Sequence, residues 1–317
     1  RLKTWRTFAP LGVKQKNLNN FLTLSFHSNR SPFLTFGKKI TMRTAIAFST
    51  LLIITLFFAC ESNKDVAEQA SFPTDGTAEL FDESLRPFYH NVASGDPLTD
   101  RVIIWTRVTP PQPQEVEVQW AVATDAEMQN VVQEGSLTTS TDRDFTVKVD
   151  VTGLEPNTTY YYQFTALDGK SPVGRTKTAP ADATEEVTFA VVSCSNYEQG
   201  YFNAFEKIAE KEGLSAVLHL GDYIYEYGPG TYGDTTLGRL HLPPKEIIEL
   251  SDYRTRYALY RLDEDFQKAH QMHPFITIWD DHEITNNAYV DGAQNHQPEE
   301  GDYMQRRAAA RQAYYEW

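Results

Sequence analysis

Three β-prone runs of this chain are each followed by side chains that can bind metal ions or move protons. The runs are residues 187–192, 216–220 and 275–279. The side chains that follow them are Cys194, Asp222, Tyr225, Asp281 and His282. One strand that ends in an aspartate is common. Three successive strands that deliver thiol, carboxylate, phenol and imidazole groups instead indicate a metal-binding site.

The elements around these residues explain how they could meet. The runs are almost wholly apolar and are separated by helical patterns at 202–211 and 253–270, which predicts a parallel sheet covered on both faces. In such sheets ligands bind beyond the carboxyl ends of the strands. Asp222 and Tyr225 are three residues apart, so one tight turn can aim both at one ion. Asp281 and His282 are adjacent, so one can bind metal while the other faces the substrate.

Two of these segments resemble conserved blocks of calcineurin-like metallophosphoesterases, whose usual forms are Gly-Asp-x-x-Asp and Gly-Asn-His-Glu/Asp. Here they read Gly-Asp-x-x-Tyr at 221–225 and Asp-Asp-His-Glu at 280–283. A further departure is Cys194, which stands where the first block normally has Asp-x-His. PhoD-like alkaline phosphatases and related phospholipase D or phosphodiesterase members share these departures. Residues 88–97, 251–257 and 279–287 are similar to that group as well, and the resemblance covers residues 87–317.

The resemblance implies a site that holds Fe(III) and Ca(II). It assigns iron to Cys194, Asp222 and Tyr225, with Asp222 bridging towards calcium. Asp281 would bind on the calcium side. An amide oxygen of Asn286 or Asn287 would join it there, and we assign this role to Asn287. The residue types are consistent with this assignment. Anionic thiolate and phenolate groups suit a ferric ion, whereas carboxylate and amide oxygens suit calcium.

Two further residues are given roles at the substrate. His282 is expected beside the leaving oxygen as an acid or charge stabiliser, with a core histidine as the alternative. Asn196 is expected to donate a hydrogen bond to phosphate. Tyr223, Tyr227 and Trp279 are expected to pack.

The part that precedes these runs predicts a different fold. Short alternating strands and turn residues between 87 and 180 are typical of a β-sandwich. The pattern Leu-x-Pro-x-Thr-x-Tyr at 154–160 resembles the tyrosine corner of fibronectin type III domains, with the Tyr160 hydroxyl bonded to upstream backbone. The predicted fold class is thus an all-β fibronectin-III-like sandwich at 87–180. An α/β metallophosphoesterase domain at 181–317 follows it, and we expect that domain to be truncated at its C-terminus.

The N-terminal region carries targeting signals. A basic residue and an apolar run follow Met42 and extend to residue 59. This pattern predicts a lipoprotein signal peptide at 42–59. A membrane-spanning helix is less consistent with it, because about sixteen apolar residues are short for a membrane span. Cys60 is the expected lipidation site, and residues 60–86 are expected to form a flexible tether. Residues 1–41 are expected to be an upstream or mis-called leader. We expect Cys60 and Cys194 to serve lipid and metal rather than to form a disulfide.

Charge limits the partners. Residues 1–59 hold nine Lys/Arg and no acid, so the remainder holds 20 basic and all 43 acidic residues, a net charge of −23. Such a chain repels nucleic acid, so no nucleic-acid-binding surface is expected, and it attracts a phosphate ester only with bound cations.

The predicted function is metal-activated in-line hydrolysis of phosphate mono- or diesters at the cell envelope, for phosphate scavenging. The protein would be exported and lipid-anchored, on the periplasmic or surface face. A phospholipase D-like or nucleotide phosphodiesterase and a non-catalytic surface-binding lipoprotein are the alternatives. The sequence leaves the oligomeric state open.

Overall fold

The computed structural model of the chain describes residues 73, 75–182 and 186–317. The predictions for the leader, the signal peptide and lipidation of Cys60 lie outside these residues, as does most of the tether. Within the described ranges, no helix is both long and apolar enough to cross a bilayer.

The described residues form strands and helices in two groups. The strands are β1 (Val92–Gly95), β2 (Arg101–Arg107), β3 (Val116–Ala123), β4 (Val131–Thr139), β5 (Thr146–Thr152), β6 (Thr159–Ala166), β7 (Gly169–Lys170), β8 (Gly174–Lys177), β9 (Phe189–Val192), β10 (Ala216–His219), β11 (Pro274–Thr277), β12 (Ala288–Tyr289) and β13 (Gly292–Ala293). The helices are α1 (Asn203–Ala209), α2 (Leu250–Tyr260), α3 (Glu264–Met272) and α4 (Tyr303–Glu316). The predicted helical pattern at 253–270 therefore corresponds to two helices.

The first group is a β-sandwich. One sheet runs β4-β3-β6-β7 with β8 beside β6, and its alternate side chains meet those of β2 and β5 in a buried core that includes Val118, Tyr162 and Phe164. This packing follows from the period-2 pattern of the strands. The Tyr160 hydroxyl accepts the backbone N–H of Glu155 at 2.9 Å, which confirms the predicted bond to upstream backbone.

The second sheet connects the sandwich to the α/β region. Its order is β5-β2-β1-β11-β10-β9, and β1 runs parallel to β11 with Gly95 opposite Phe275. A Cβ at Gly95 would lie 2.8 Å from the Phe275 carbonyl oxygen, so this pairing requires glycine. The sandwich strands β1, β2 and β5 and the parallel strands thus share one sheet.

The parallel arrangement of β9, β10 and β11 is confirmed, with β10 in the middle. All four helices contribute to one core cluster with Val217 and Phe275 on one face of these strands. On the opposite face, Phe189 (44% exposed), Val191 (59%) and Ile276 (39%) remain open. The prediction that both faces are covered is therefore wrong for the described residues, because their helices all pack on the same side.

Candidate metal centre

Backbone hydrogen bonds bring the ends of β9, β10 and β11 together. Beyond β9, the N–H of Cys194 donates to the Gly221 carbonyl at 3.1 Å, and the N–H of Ser195 donates to the Asp222 carbonyl at 2.9 Å. Gly221 has φ +100°, and a Cβ there would lie 2.5 Å from the backbone nitrogen of Asp280. Only glycine allows this approach, so it lets the loops after β10 and β11 meet.

Asp222 is the centre of the cluster. Its Oδ2 accepts hydrogen bonds from the Cys194 thiol and from the Tyr225 hydroxyl, each at 3.3 Å. Its Oδ1 is buried and has no hydrogen-bond partner within the part of the chain that the structure describes. The three predicted iron ligands therefore converge on one point. A buried carboxylate oxygen without a partner is costly for an isolated protein and is suited to a cation.

Asp281 and His282 complete the group from the β11 side. One ligand atom each from Asp222, Asp281 and His282 lies within 4.8 Å of the others. The His282 Nε2 is 4.0 Å from Asp281 Oδ1. His282 Nε2 thus lies close enough to the carboxylates to bind a metal, which is the alternative to the proton-transfer role that the sequence predicts.

Backbone conformation marks the same residues. Cys194, Asp222 and Asn287 have φ values of 59°, 53° and 55°, in the left-handed region that non-glycine residues seldom adopt. Such conformations cost about 1–3 kcal/mol each and concentrate at functional sites. Seven other non-glycine residues of the described ranges share this conformation, so it supports the site only together with the hydrogen bonds that converge on Asp222.

The electrostatics of the cluster fit a bound cation. Burial, the Asp222 carboxylate and the Cys194 thiol all raise the pKa of Tyr225 well above its usual range. A phenolate at this position would face a carboxylate and a thiol in a partly buried space. Since thiols and phenols bind metals in their deprotonated forms, a cation would replace the two protons now directed at Asp222. The donor set therefore fits the metals that the resemblance implies.

Two predicted residues occupy less direct positions. The Asn196 Oδ1 accepts the N–H of Glu198 at 3.1 Å and caps a short 3₁₀ helix, which leaves its amide NH₂ as the group that can donate. The backbone N–H of Asn287 donates to Asp281 Oδ2, whereas its side-chain NH₂ donates to Gln294. Asn287 is thus placed against Asp281 by its backbone.

Glu226 is a candidate functional residue that the sequence analysis did not identify. Its carboxylate is fully buried, and Oε2 accepts from His282 Nδ1 at 2.7 Å. Oε1 accepts from three further donors, the N–H of Asn286 at 2.7 Å, the Asn295 amide at 2.9 Å and the Thr285 hydroxyl at 3.2 Å. The only available signal was its position directly after Tyr225, which gives no direction for its side chain.

The Glu226 contact determines the state of His282. A carboxylate only accepts hydrogen bonds, so Nδ1 of His282 carries a proton and Nε2 faces the cluster. Burial lowers the pKa of His282, but the hydrogen bond and charge of Glu226 outweigh it and the net pKa is raised. His282 is consequently held as a proton donor or as a neutral ring with its Nε2 lone pair directed at the site.

Two more buried residues fix the loops. Glu283 accepts the N–H groups of Tyr223 at 2.6 Å and Asp280 at 2.9 Å, so it ties the loop after β10 to the loop after β11. Burial raises the pKa of Glu283 to about 7. The Arg256 guanidinium, which is fully buried, donates to the carbonyl of Tyr225 and to that of Leu242. It therefore fixes the backbone that carries Tyr225, a predicted ligand.

Comparison with known proteins gives consistent results. A family model described as "PhoD-like phosphatase" matches residues 189–317, and one described as "PhoD-like phosphatase, N-terminal domain" matches residues 76–180. The chain is similar to alkaline phosphatase D of Bacillus subtilis (strain 168), with 45% identity over 246 residues, which are 74% of this chain and 41% of that protein. A solved structure of PhoD matches at TM-score 0.66 and 43% identity, covering 74% of this chain and 46% of that chain. The chain spans less than half the length of either relative.

Proposed function

Because the chain belongs to the PhoD-like phosphatase family, we propose that the whole protein hydrolyses phosphate esters with the help of metal ions held at the Asp222 cluster. The observation that carries this proposal is the convergence of the Cys194 thiol and the Tyr225 hydroxyl on one buried carboxylate. These residues come from two different strand ends, and their protons could be replaced by a cation. A purely structural cluster has no need of a thiol, a phenol and a carboxylate that lacks a partner on one oxygen.

The donor types suggest how the ions are divided. Cys194, Asp222 and Tyr225 would hold Fe(III), because anionic sulfur and phenolate oxygen stabilise a ferric ion. Asp222 and Asp281 would hold Ca(II), together with an oxygen of Asn287. When bound, these cations would polarise the phosphate oxygens and make a water-derived nucleophile available near neutral pH. They would also offset the net charge of −23 on residues 60–317, which otherwise repels the substrate.

The protein's own groups would position the ester and move a proton. His282 Nε2 faces the cluster and would donate a proton to the departing alcohol oxygen, while Nδ1 stays bonded to Glu226. The Asn196 NH₂ group would donate to a non-bridging phosphate oxygen. Since phosphoryl transfer depends mainly on alignment and charge neutralisation, the rigid strand ends are suited to it.

We further propose that the protein acts at the cell envelope. This rests on the sequence alone, since the apolar run before Cys60 and the polar tether after it are typical of a lipid-anchored exported protein. Phosphate release outside the cytoplasm would serve phosphate scavenging.

The test uses the whole parent protein from Glu61 onward. Hydrolysis of p-nitrophenyl phosphate and of bis-p-nitrophenyl phosphate is measured side by side, with calcium and iron supplied and after chelation. Turnover that chelation abolishes and metal restores supports the proposal, and the ratio of the two rates separates monoester from diester preference. Folded, metal-loaded protein that turns over neither ester would contradict it.

A further inference from the structure

Two tyrosines form an aromatic surface beside His282. The Tyr227 ring lies edge-on to the His282 ring, with centroids 5.5 Å apart. The Tyr232 ring follows at 4.4 Å from the Tyr227 ring, and its side chain is 62% exposed. We call these two side chains the tyrosine wall. Tyr227, which was expected only to pack, therefore borders the site.

The tyrosine wall is held in place by buried contacts. The Glu198 carboxylate is nearly inaccessible and accepts the backbone N–H of Gly230 at 2.9 Å and that of His241 at 2.8 Å. The segment between those residues carries Tyr232. A Cβ at Gly233 would lie 2.1 Å from the Cβ of Glu198, so the segment can approach Glu198 only with glycine there.

A second contact fixes Tyr232 itself. The Gln199 side-chain amide donates to the Tyr232 carbonyl at 3.2 Å, from the same short helix that Glu198 occupies. Tyr232 is thus an exposed ring on an ordered backbone. Rigid aromatic rings that are exposed next to a polar site commonly act as contact surfaces for ligands.

We propose that the tyrosine wall binds the alcohol part of the ester, and that the protein prefers phosphate esters of planar, ring-bearing alcohols to those of small aliphatic alcohols. This inference rests on the proposed function, because it takes His282 as the group that meets the leaving oxygen. With the phosphate at the Asp222 cluster and the leaving oxygen at His282 Nε2, the alcohol extends past His282. The Tyr227 ring borders His282 at 5.5 Å and the exposed Tyr232 ring follows it at 4.4 Å, so both are within reach of a ring on that alcohol.

The chemistry of the wall favours rings. Its phenol faces are neutral and apolar, so they attract a flat ring by stacking and burial of apolar area but give a small polyol little to bind. Aromatic pairs gain enough beyond burial for a rate difference of about two- to tenfold. Both an aryl group and a nucleoside base have the required flat face, so both sources are included in the test.

The experiment compares substrates in the whole protein and in three variants. Values of kcat/KM are measured for phenyl phosphate, a nucleoside 5′-monophosphate and glycerol 2-phosphate. The variants are Tyr232→Ala, which removes the ring, Tyr232→Phe, which keeps it, and Tyr201→Ala as the matched control. Tyr201 is equally exposed at 61%, and its ring lies over the Arg239 guanidinium. Inhibition by phenylphosphonate and methylphosphonate gives a binding readout that is independent of turnover.

We expect Tyr232→Ala to lower the ratio of ring-bearing to glycerol ester kcat/KM by about three- to tenfold, with turnover of glycerol 2-phosphate retained. Phenylphosphonate should lose affinity to the same extent, whereas Tyr232→Phe and Tyr201→Ala should keep the wild-type ratio. A ratio that stays unchanged in an active Tyr232→Ala protein would overturn the tyrosine wall alone. Absence of chelator-sensitive turnover in the wild type would overturn the proposed function instead.

Discussion

Replacing Glu226 by glutamine tests whether its carboxylate controls His282. The change preserves size and keeps the Oε1 acceptor for Asn286, Asn295 and Thr285. It places an NH₂ group where Oε2 now accepts from His282 Nδ1 at 2.7 Å. Two donors would then face each other unless His282 moves its proton to Nε2. In that tautomer Nδ1 accepts from the new amide, and without the Glu226 charge that raises its pKa the ring no longer holds the second proton that makes Nε2–H an effective acid.

The magnitude follows from the contact that is lost. A hydrogen bond to a charged partner contributes about 1.5–3 kcal/mol, and the fully buried position of Glu226 excludes water as a substitute. If that energy maintains the reactive state of His282, kcat should fall roughly 10- to 150-fold. Folding should be affected less, because the Oε1 position keeps its donors and the new amide pairs with His282 Nδ1.

The assay measures kcat and KM against pH in the whole protein, with the melting temperature as the control for folding. Glu246→Gln is the matched variant, since Glu246 belongs to the same network through Asn295 and Arg306 but does not touch His282. We expect Glu226→Gln to lower kcat and alter its pH profile while KM changes little. If Glu226→Gln and Glu246→Gln have equal effects, or if only stability changes, the positioning role is refuted.

Three further outcomes can be measured on the same protein. Tyr160→Phe removes the hydroxyl that accepts an upstream N–H, and should lower the unfolding free energy in urea by about 1 kcal/mol without changing ester turnover. Gly221→Ala forces a strained φ and a contact of 2.5 Å with the Asp280 nitrogen, so both melting temperature and kcat should fall, the backbone strain alone costing about 1–3 kcal/mol. Burial lowers the pKa of His273 in the folded protein to about 4. The unfolded chain therefore binds a proton at this residue more readily than the folded protein does between pH 6.5 and 4. The free energy of unfolding should be at its full value above pH 6.5 and should fall by about 3 kcal/mol as the pH drops towards 4. The melting temperature should drop over that range, and less so in His273→Gln.

The strands and helices follow from local pattern. Period-2 alternation gave β3 and β5 nearly to the residue, and the apolar runs gave the parallel order of β9, β10 and β11. The pairing of β1 with β11 does not follow from the sequence, because it joins Gly95 to Phe275 across 180 residues and neither strand has a sequence pattern that specifies its neighbour in the sheet. Coverage of both sheet faces was also inferred wrongly, because an apolar run shows that a strand can be buried but not which elements cover it.

The site residues also fall into those that the sequence predicts and those that only the fold reveals. Cys194, Asp222 and Tyr225 were predicted because strand ends position them, and the structure brings them within hydrogen-bonding distance. Glu226 was not found, because only the tertiary fold brings its carboxylate to the Nδ1 atom of His282. The contact of Tyr227 with His282 likewise depends on how the segment after Glu226 folds back. Position along a strand predicts ligands better than it predicts the residues that orient them.

The most direct test of the central claim is the metal content of Asp222→Asn in the whole protein, measured by elemental analysis beside ester turnover. The variant keeps the shape of the side chain but weakens the oxygen on which Cys194 and Tyr225 converge. We predict that iron, calcium and turnover fall together in this variant while the circular dichroism spectrum and the sandwich remain intact. Full metal content and normal turnover in Asp222→Asn would contradict it.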